Sequence, residues 1–185
     1  MSIKCGNAFL VEIVSGTIEP DGSDLLTSCW DGESETELGL APAIELRVLV
    51  ENSARVIAVD SDGLMTFDRP HGLSAGDEVF VWDMGGLYEA HGDRVVATAP
   101  TTKTLTLTLS TTYTQWTGGG MVRKILYGPE DMFRNLSGRV YYLVPHTVEF
   151  APEQQYAISL WRKISLSGVT WYHEVPERAT IGRIK

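Results

Sequence analysis

With 185 residues, 43% of them hydrophobic and 21% charged, the chain has room for one large or two small domains. A chain of this size can bury ~70% of its unfolded surface, so it needs no metal or disulfide staple to fold. The net charge of −9 repels a phosphate backbone and argues against nucleic acid as a partner.

Phe9 to Val14 is rich in β-branched residues and stops at Ser15-Gly16, which predicts a first strand. Pro20-Asp21-Gly22 is a turn, because proline presets φ and Asp-Gly tolerates the tight part. Asp31 to Gly39 is acidic and reads as a solvated loop. Ile44 to Val50 alternates and then becomes continuously apolar, as in a strand with one wet face whose end is covered. Arg55 to Val59 and Leu64 to Phe67 follow as strands joined through Asp60-Ser61-Asp62-Gly63.

Turn residues dominate the next stretch. Pro70-His71-Gly72 must turn the chain, Leu73 tucks inward, and Gly76-Asp77 turns it again before the strand at Val79-Phe80-Val81. Gly86, Tyr88 and His91-Gly92 mark a further turn. Thr98 to Thr114 is rich in a residue that suits strands, and Thr104 to Leu109 alternates strictly. Gly118-Gly119-Gly120 reads as a flexible joint before a strand at Met121 to Leu126. Between Tyr127 and Arg134 lies a helix start, with Pro129 at the first position and Glu130 and Asp131 near the positive end. Beyond it the pattern is β again: Arg139 to Val144, Val148 to Phe150, Tyr156 to Ile164 and Val169 to Val175. Glu177 to Lys185 has no pattern and reads as a tail, free or docked on a neighbour.

Two stretches resemble known families. His71-Gly72-Leu73, two residues, Gly76-Asp77, then Val79-Phe80-Val81, with Gly86, His91-Gly92 and Thr104-Leu105-Thr106-Leu107, is similar to a small β-domain found in bacteriophage virion proteins. That domain resembles the first catalytic-cysteine half-domain inserted in ubiquitin-activating enzymes. His91-Gly92 stands where Asn-Gly is usual and Leu105 where Phe is usual; histidine tolerates positive φ better than most residues, and leucine still fills a core. The resemblance covers about fifty residues of the chain and carries no chemistry with it. The second stretch, Phe150, Pro152 and Tyr156 with Ile158 and Leu160, is similar to the corner before a late strand in fibronectin-type and immunoglobulin-like sandwiches. Together they imply an all-β chain: an immunoglobulin-like β-sandwich of residues 1–53 plus 125–185, with a small β-barrel or meander of residues 54–124 inserted and one short helix.

No catalytic set emerges. His71, His91, His146 and His173 lack close metal-ligand spacing. There is no serine elbow, and the triglycine lacks the spacing of a phosphate loop. Cys5 and Cys29 lie among acids, which raises a thiol pKa, and they read as buried thiols with a bridge as the alternative. Asp60 and Asp62 form a turn rather than a calcium loop, whose remaining ligands are missing. No cofactor or metal is expected, and no signal peptide or membrane span is read.

The remaining candidates are contacts. Trp116 sits among polar residues where a loop is expected, and Trp30 beside Asp31-Gly32 is similar; exposed tryptophans there suit a partner protein or a sugar ring. Residues 1–53 carry 2 cations against 10 acids, whereas residues 125–185 carry 7 against 6. The acidity serves solubility, or it pairs Glu33, Glu35 and Glu37 with a basic neighbouring subunit. The expectation is a structural subunit of a virion, assembled in the host cytoplasm, with other virion proteins and like copies as partners in a homo-oligomer. The alternative is a module that binds host-surface glycan through Trp116, which tryptophan fluorescence during polysaccharide titration distinguishes.

Overall fold

Successive side chains of a strand point to opposite faces, and the chain uses that rule plainly at Thr104–Leu107. There Leu105 and Leu107 are buried while Thr104 and Thr106 stay half-buried on the other face. The computed structural model describes residues 9–13, 43–109, 115–134, 140–145, 147–151, 154–166, 169–174 and 179–183. These form an all-β protein whose described helical structure is a single 3₁₀ turn at Tyr88–Ala90.

In chain order the strands are β1 (Phe9–Ile13), β2 (Ala43–Val50), β3 (Val56–Val59), β4 (Met65–Phe67), β5 (Glu78–Trp82), β6 (Gly92–Thr101), β7 (Thr104–Leu107) and β8 (Met121–Asp131). They continue as β9 (Phe133–Arg134), β10 (Val140–Val144), β11 (Tyr156–Leu166), β12 (Val169–Glu174) and β13 (Ala179–Arg183). The chain divides into two compact units. One holds Arg47–Tyr127 with Gln154–Ile158; the other holds Met1–Leu46, Gly128–Glu153 and Ser159–Lys185. The sequence pattern places the inserted unit at 54–124.

In the first of these units the strand order is β2-β8-β5-β6-β7-β4-β3. β5 pairs antiparallel with β6 and β8, β7 with β6 and β4, and β4 with β3, which sets Phe80 opposite both Asp93 and Arg123, and Met65 opposite Leu105. The sheet curls until its far strand returns to β8. The Val56 amide donates to the Gly120 carbonyl at 3.0 Å, and Asn52 Nδ2 donates to the Val122 carbonyl at 3.3 Å. Enclosed by these strands is a core of Val56, Met65, Phe67, Leu73, Val79, Val81, Met84, Leu87, Val96, Leu105, Leu107 and Val122. Truncating one of its large members to alanine costs about 2–5 kcal/mol, the usual range for a closed core. On the outer face the threonines bond to one another across strands, Thr98 to Thr106 at 2.9 Å and Thr101 to Thr104 at 2.7 Å between hydroxyls.

The other unit centres on β1, which pairs antiparallel with β10 on one side and β13 on the other. With β9 beside β10, this makes a four-stranded sheet. β11 and β12 form an antiparallel hairpin with Ile164 opposite Trp171. Ile44, Val144, Val148, Phe150, Leu160 and Trp161 are buried.

Four local expectations are corrected. The helix start at Tyr127 to Arg134 is the end of β8 followed by β9. Gly128 takes φ +92, which no helix tolerates, and the Met132 amide donates to the Ile44 carbonyl, so pairing overrides a local end-signal. Val148 and Phe150 are buried without being strand; the Val148 amide closes a turn onto Pro145. Part of the supposed tail is β13, whose Ile181 stands opposite Val11. The face of β2 taken as wet is dry, with Glu45 and Arg47 both buried.

Candidate functional site

The segment from His71 to Asp77 is built by three side chains that take over backbone hydrogen bonds at two turns. Gly72 has φ +68 and Gly76 φ +88, conformations that cost residues with a Cβ about 1–2 kcal/mol. Between them the Leu73 amide donates to His71 Nδ1 at 2.9 Å, so that nitrogen carries the lone pair. The proton is then on Nε2, which faces the Thr104 carbonyl at 3.4 Å. The His71 amide donates to the Thr102 carbonyl, and its own carbonyl accepts from Asn52 Nδ2. With its ring 5.1 Å from that of Phe67 and only 2% of the residue exposed, His71 is a bracket between β4 and β7. Leu73 is drawn into the core beside it.

Asp77 does the same for the second turn. Its Oδ2 accepts from the Ser74 amide at 2.9 Å, and its Oδ1 accepts from Lys124 Nζ at 2.6 Å. The flanking backbone is sewn to β6, since the Gly76 amide donates to Val96 and the Val96 amide donates to Asp77.

His91-Gly92 takes a different form from the one expected. His91 is extended, φ −63, and the positive φ falls on Gly92 alone, at +90. The histidine is thus not there for conformational tolerance. The Met84 amide donates to His91 Nε2 at 2.9 Å, with the Met84 carbonyl 3.1 Å from the same nitrogen. Tyr88 meets the ring edge-on at 5.8 Å. Burial pushes the His91 pKa below its ordinary value, against smaller upward effects of the Met84 backbone and Asp83.

The triglycine is a close-packed clasp rather than a flexible joint. A Cβ on Gly86 would lie 2.1 Å from the Gln115 carbonyl oxygen, and one on Gly119 2.5 Å from that of Asp83. Gly85 and Gly118 form an isolated bridge between the two loops. Trp116 lies half-buried against the core at this clasp, and its indole N–H donates to the Gly119 carbonyl at 3.0 Å.

Thus His71, Gly72, Leu73, Gly76 and Asp77 are gathered into one pair of turns, with His91 and Gly92 in another. Of the sandwich-corner residues, Phe150 is buried and Tyr156 half-buried, while Pro152 lies outside the described residues. Trp30, Glu33, Glu35 and Glu37 also lie outside them. Asp60 closes its own turn, its Oδ1 accepting from the Asp62 and Leu64 amides.

Sequence reasoning missed two buried or partly buried arginines, Arg47 on β2 and Arg123 on β8, each set between a carboxylate and an aromatic ring of β5. Arg47 is fully buried and forms a two-pronged pair with Asp93, at 2.7 and 2.6 Å, while its guanidinium lies 4.3 Å from the centre of the Phe80 ring. Arg123 repeats the arrangement in milder form, paired with Glu51 at 2.6 Å and 5.2 Å from the Trp82 ring centre. The available signal was a charged residue inside an otherwise apolar strand, which demands a partner when both faces are covered.

Among the described residues no helix is long and apolar enough to cross a membrane. Comparison with protein families, with characterised proteins and with solved structures finds no match to this chain.

Proposed function

We propose that the chain is a non-enzymatic structural subunit of a bacteriophage particle, an accessory protein of the head surface, neck or tail. It acts through protein–protein contacts, with like copies in a homo-oligomer and with other virion proteins. The observation that carries the reading is the His71-to-Leu107 pattern, which resembles a β-domain of virion proteins. Its chemistry-bearing side chains are spent internally: His71 on Leu73 and Thr104, Asp77 on Ser74 and Lys124, His91 on Met84. Groups committed in this way hold turns in place, and what the unit offers to others is its outer surface. The kinship of the Phe150 to Tyr156 corner with immunoglobulin-like sandwiches belongs to the same proposal.

Quantitative mass spectrometry of gradient-purified particles tests it. The chain is expected in a fixed ratio to the major shell protein, high for a surface decoration and low for a ring at one vertex. Absence from intact particles overturns the reading.

A further inference from the structure

On a chain of net charge −9, one end of the curled sheet carries the opposite sign. Arg55, Arg69 and Lys103 are all exposed, and each makes a hydrogen bond to Asp68. The Asp68 carboxylate accepts from the Arg55 amide at 2.9 Å and from Arg69 Nε at 3.3 Å, and Lys103 Nζ donates to the Asp68 carbonyl at 3.3 Å. Arg69 also donates to Ser53 Oγ at 3.1 Å. The Arg55 amide, followed by Arg69, holds the Asp68 carboxyl below its ordinary pKa, so it remains a fixed anion at neutral pH. Three exposed cationic residues therefore flank one carboxylate, which is ion-paired with Arg69, and by residue count the patch carries a surplus of two positive charges. The bends that gather them are the His71 and Lys103 turns, joined by the His71 amide and the Thr102 carbonyl and by the Phe67 amide and the Lys103 carbonyl.

The sequence contains a matching counterpart. Asp31, Glu33, Glu35 and Glu37 occupy every second position, separated by Gly32, Ser34 and Thr36, and no lysine or arginine occurs between Lys4 and Arg47. Any peptide bound in extended form places alternate side chains on one side, about 7 Å apart. Such a segment turns four carboxylates to a partner and small residues away from it.

We infer that the Arg55–Arg69–Lys103 patch is a docking surface for the acidic segment Asp31 to Glu37 of a neighbouring copy of this chain. The inference rests on the assembly of like subunits proposed above and names its contact. A patch on one copy and a segment on the next make a head-to-tail contact, which closes into a ring when its rotation permits. Nucleic acid is the less favoured polyanion, because the rest of the chain repels it.

The test is sedimentation velocity on three full-length proteins: wild type, a patch variant (Arg55→Glu, Arg69→Glu, Lys103→Glu) and a segment variant (Glu33→Lys, Glu35→Lys, Glu37→Lys). Each variant alone is expected to lose about 100-fold in association constant, a few exposed pairs at up to about 1 kcal/mol each. Mixing the two variants is expected to restore association, since each then meets an opposite charge. A milder patch variant with glutamine at the three positions retains the side-chain stems, and circular dichroism confirms that it folds; it too is expected to associate less well than wild type.

Wild-type association that neither variant weakens overturns this contact and leaves subunit assembly standing. A wild type that stays monomeric at every concentration overturns both. Restoration in one chain carrying both reversals, but not in the mixture, places the contact within a single copy and overturns the inference. So does binding of duplex DNA that the patch variant loses while self-association is unchanged.

Discussion

His71-Gly72 and His91-Gly92 are the same dipeptide at two turns of one curled sheet, and the fold uses them differently. At His71 the ring is almost wholly enclosed, both nitrogens face backbone groups, and the histidine links the ends of two strands. At His91 the ring is half-buried and secures a single neighbouring residue, Met84. Both glycines carry positive φ, yet Gly72 is exposed with nothing near its missing Cβ, whereas Gly92 is buried at the start of β6 opposite Val81. A dipeptide defines a turn, and its surroundings decide how much stability hangs on it.

The sharpest way to break this contrast is to remove the rings. His71→Ala is expected to cost about 3 kcal/mol, combining a buried Leu73 amide left without its acceptor with lost packing on Phe67. His71→Asn, whose side-chain oxygen can replace Nδ1 as acceptor, should recover about 1 kcal/mol of that loss. Urea denaturation reads both. Equal stability of the alanine variant and wild type would mean that the bracket carries no load.

The glycines come next. Gly92→Ala is expected to cost about 2 kcal/mol, from positive φ and enclosure together, against about 1 kcal/mol for Gly72→Ala, where only the backbone conformation is penalised. Thermal unfolding of the two variants side by side measures the difference, and a reversed order would remove the distinction drawn between the turns.

The smallest effect sharpens the comparison through pH. Because burial lowers the His91 pKa, the unfolded chain binds a proton at this site more readily than the folded one. The contribution of His91 is therefore fully present above its unfolded value of about 6.5 and is lost as pH falls from there to the lowered folded value. Within that window the slope is at most one proton, about 1.4 kcal/mol per pH unit. His91→Asn should cost about 1 kcal/mol near neutral pH and remove this component of the slope, as read from stability curves between pH 5 and pH 8. An unchanged slope would show that His91 is not its source.

How far the sequence could be read depends on how far each decision reaches along the chain. The alternating leucines of β7, the glycines at positive φ and the Asp77 cap act within a few residues, and their spacing displays them directly. By themselves they determined an all-β protein and the turns from His71 to Asp77. Pairing partners are a different matter. Gly128 to Arg134 contained proline and acids fit for a helix start, and only the meeting of Met132 with Ile44 made them strand. Ala179–Arg183 showed no pattern because its order comes from β1, some 170 positions earlier, and not from its own alternation. Arg47 was read as facing water, since nothing near it in sequence announces Asp93 or Phe80; only the folded sheet brings a counter-ion and a ring to a charge that could not otherwise be buried.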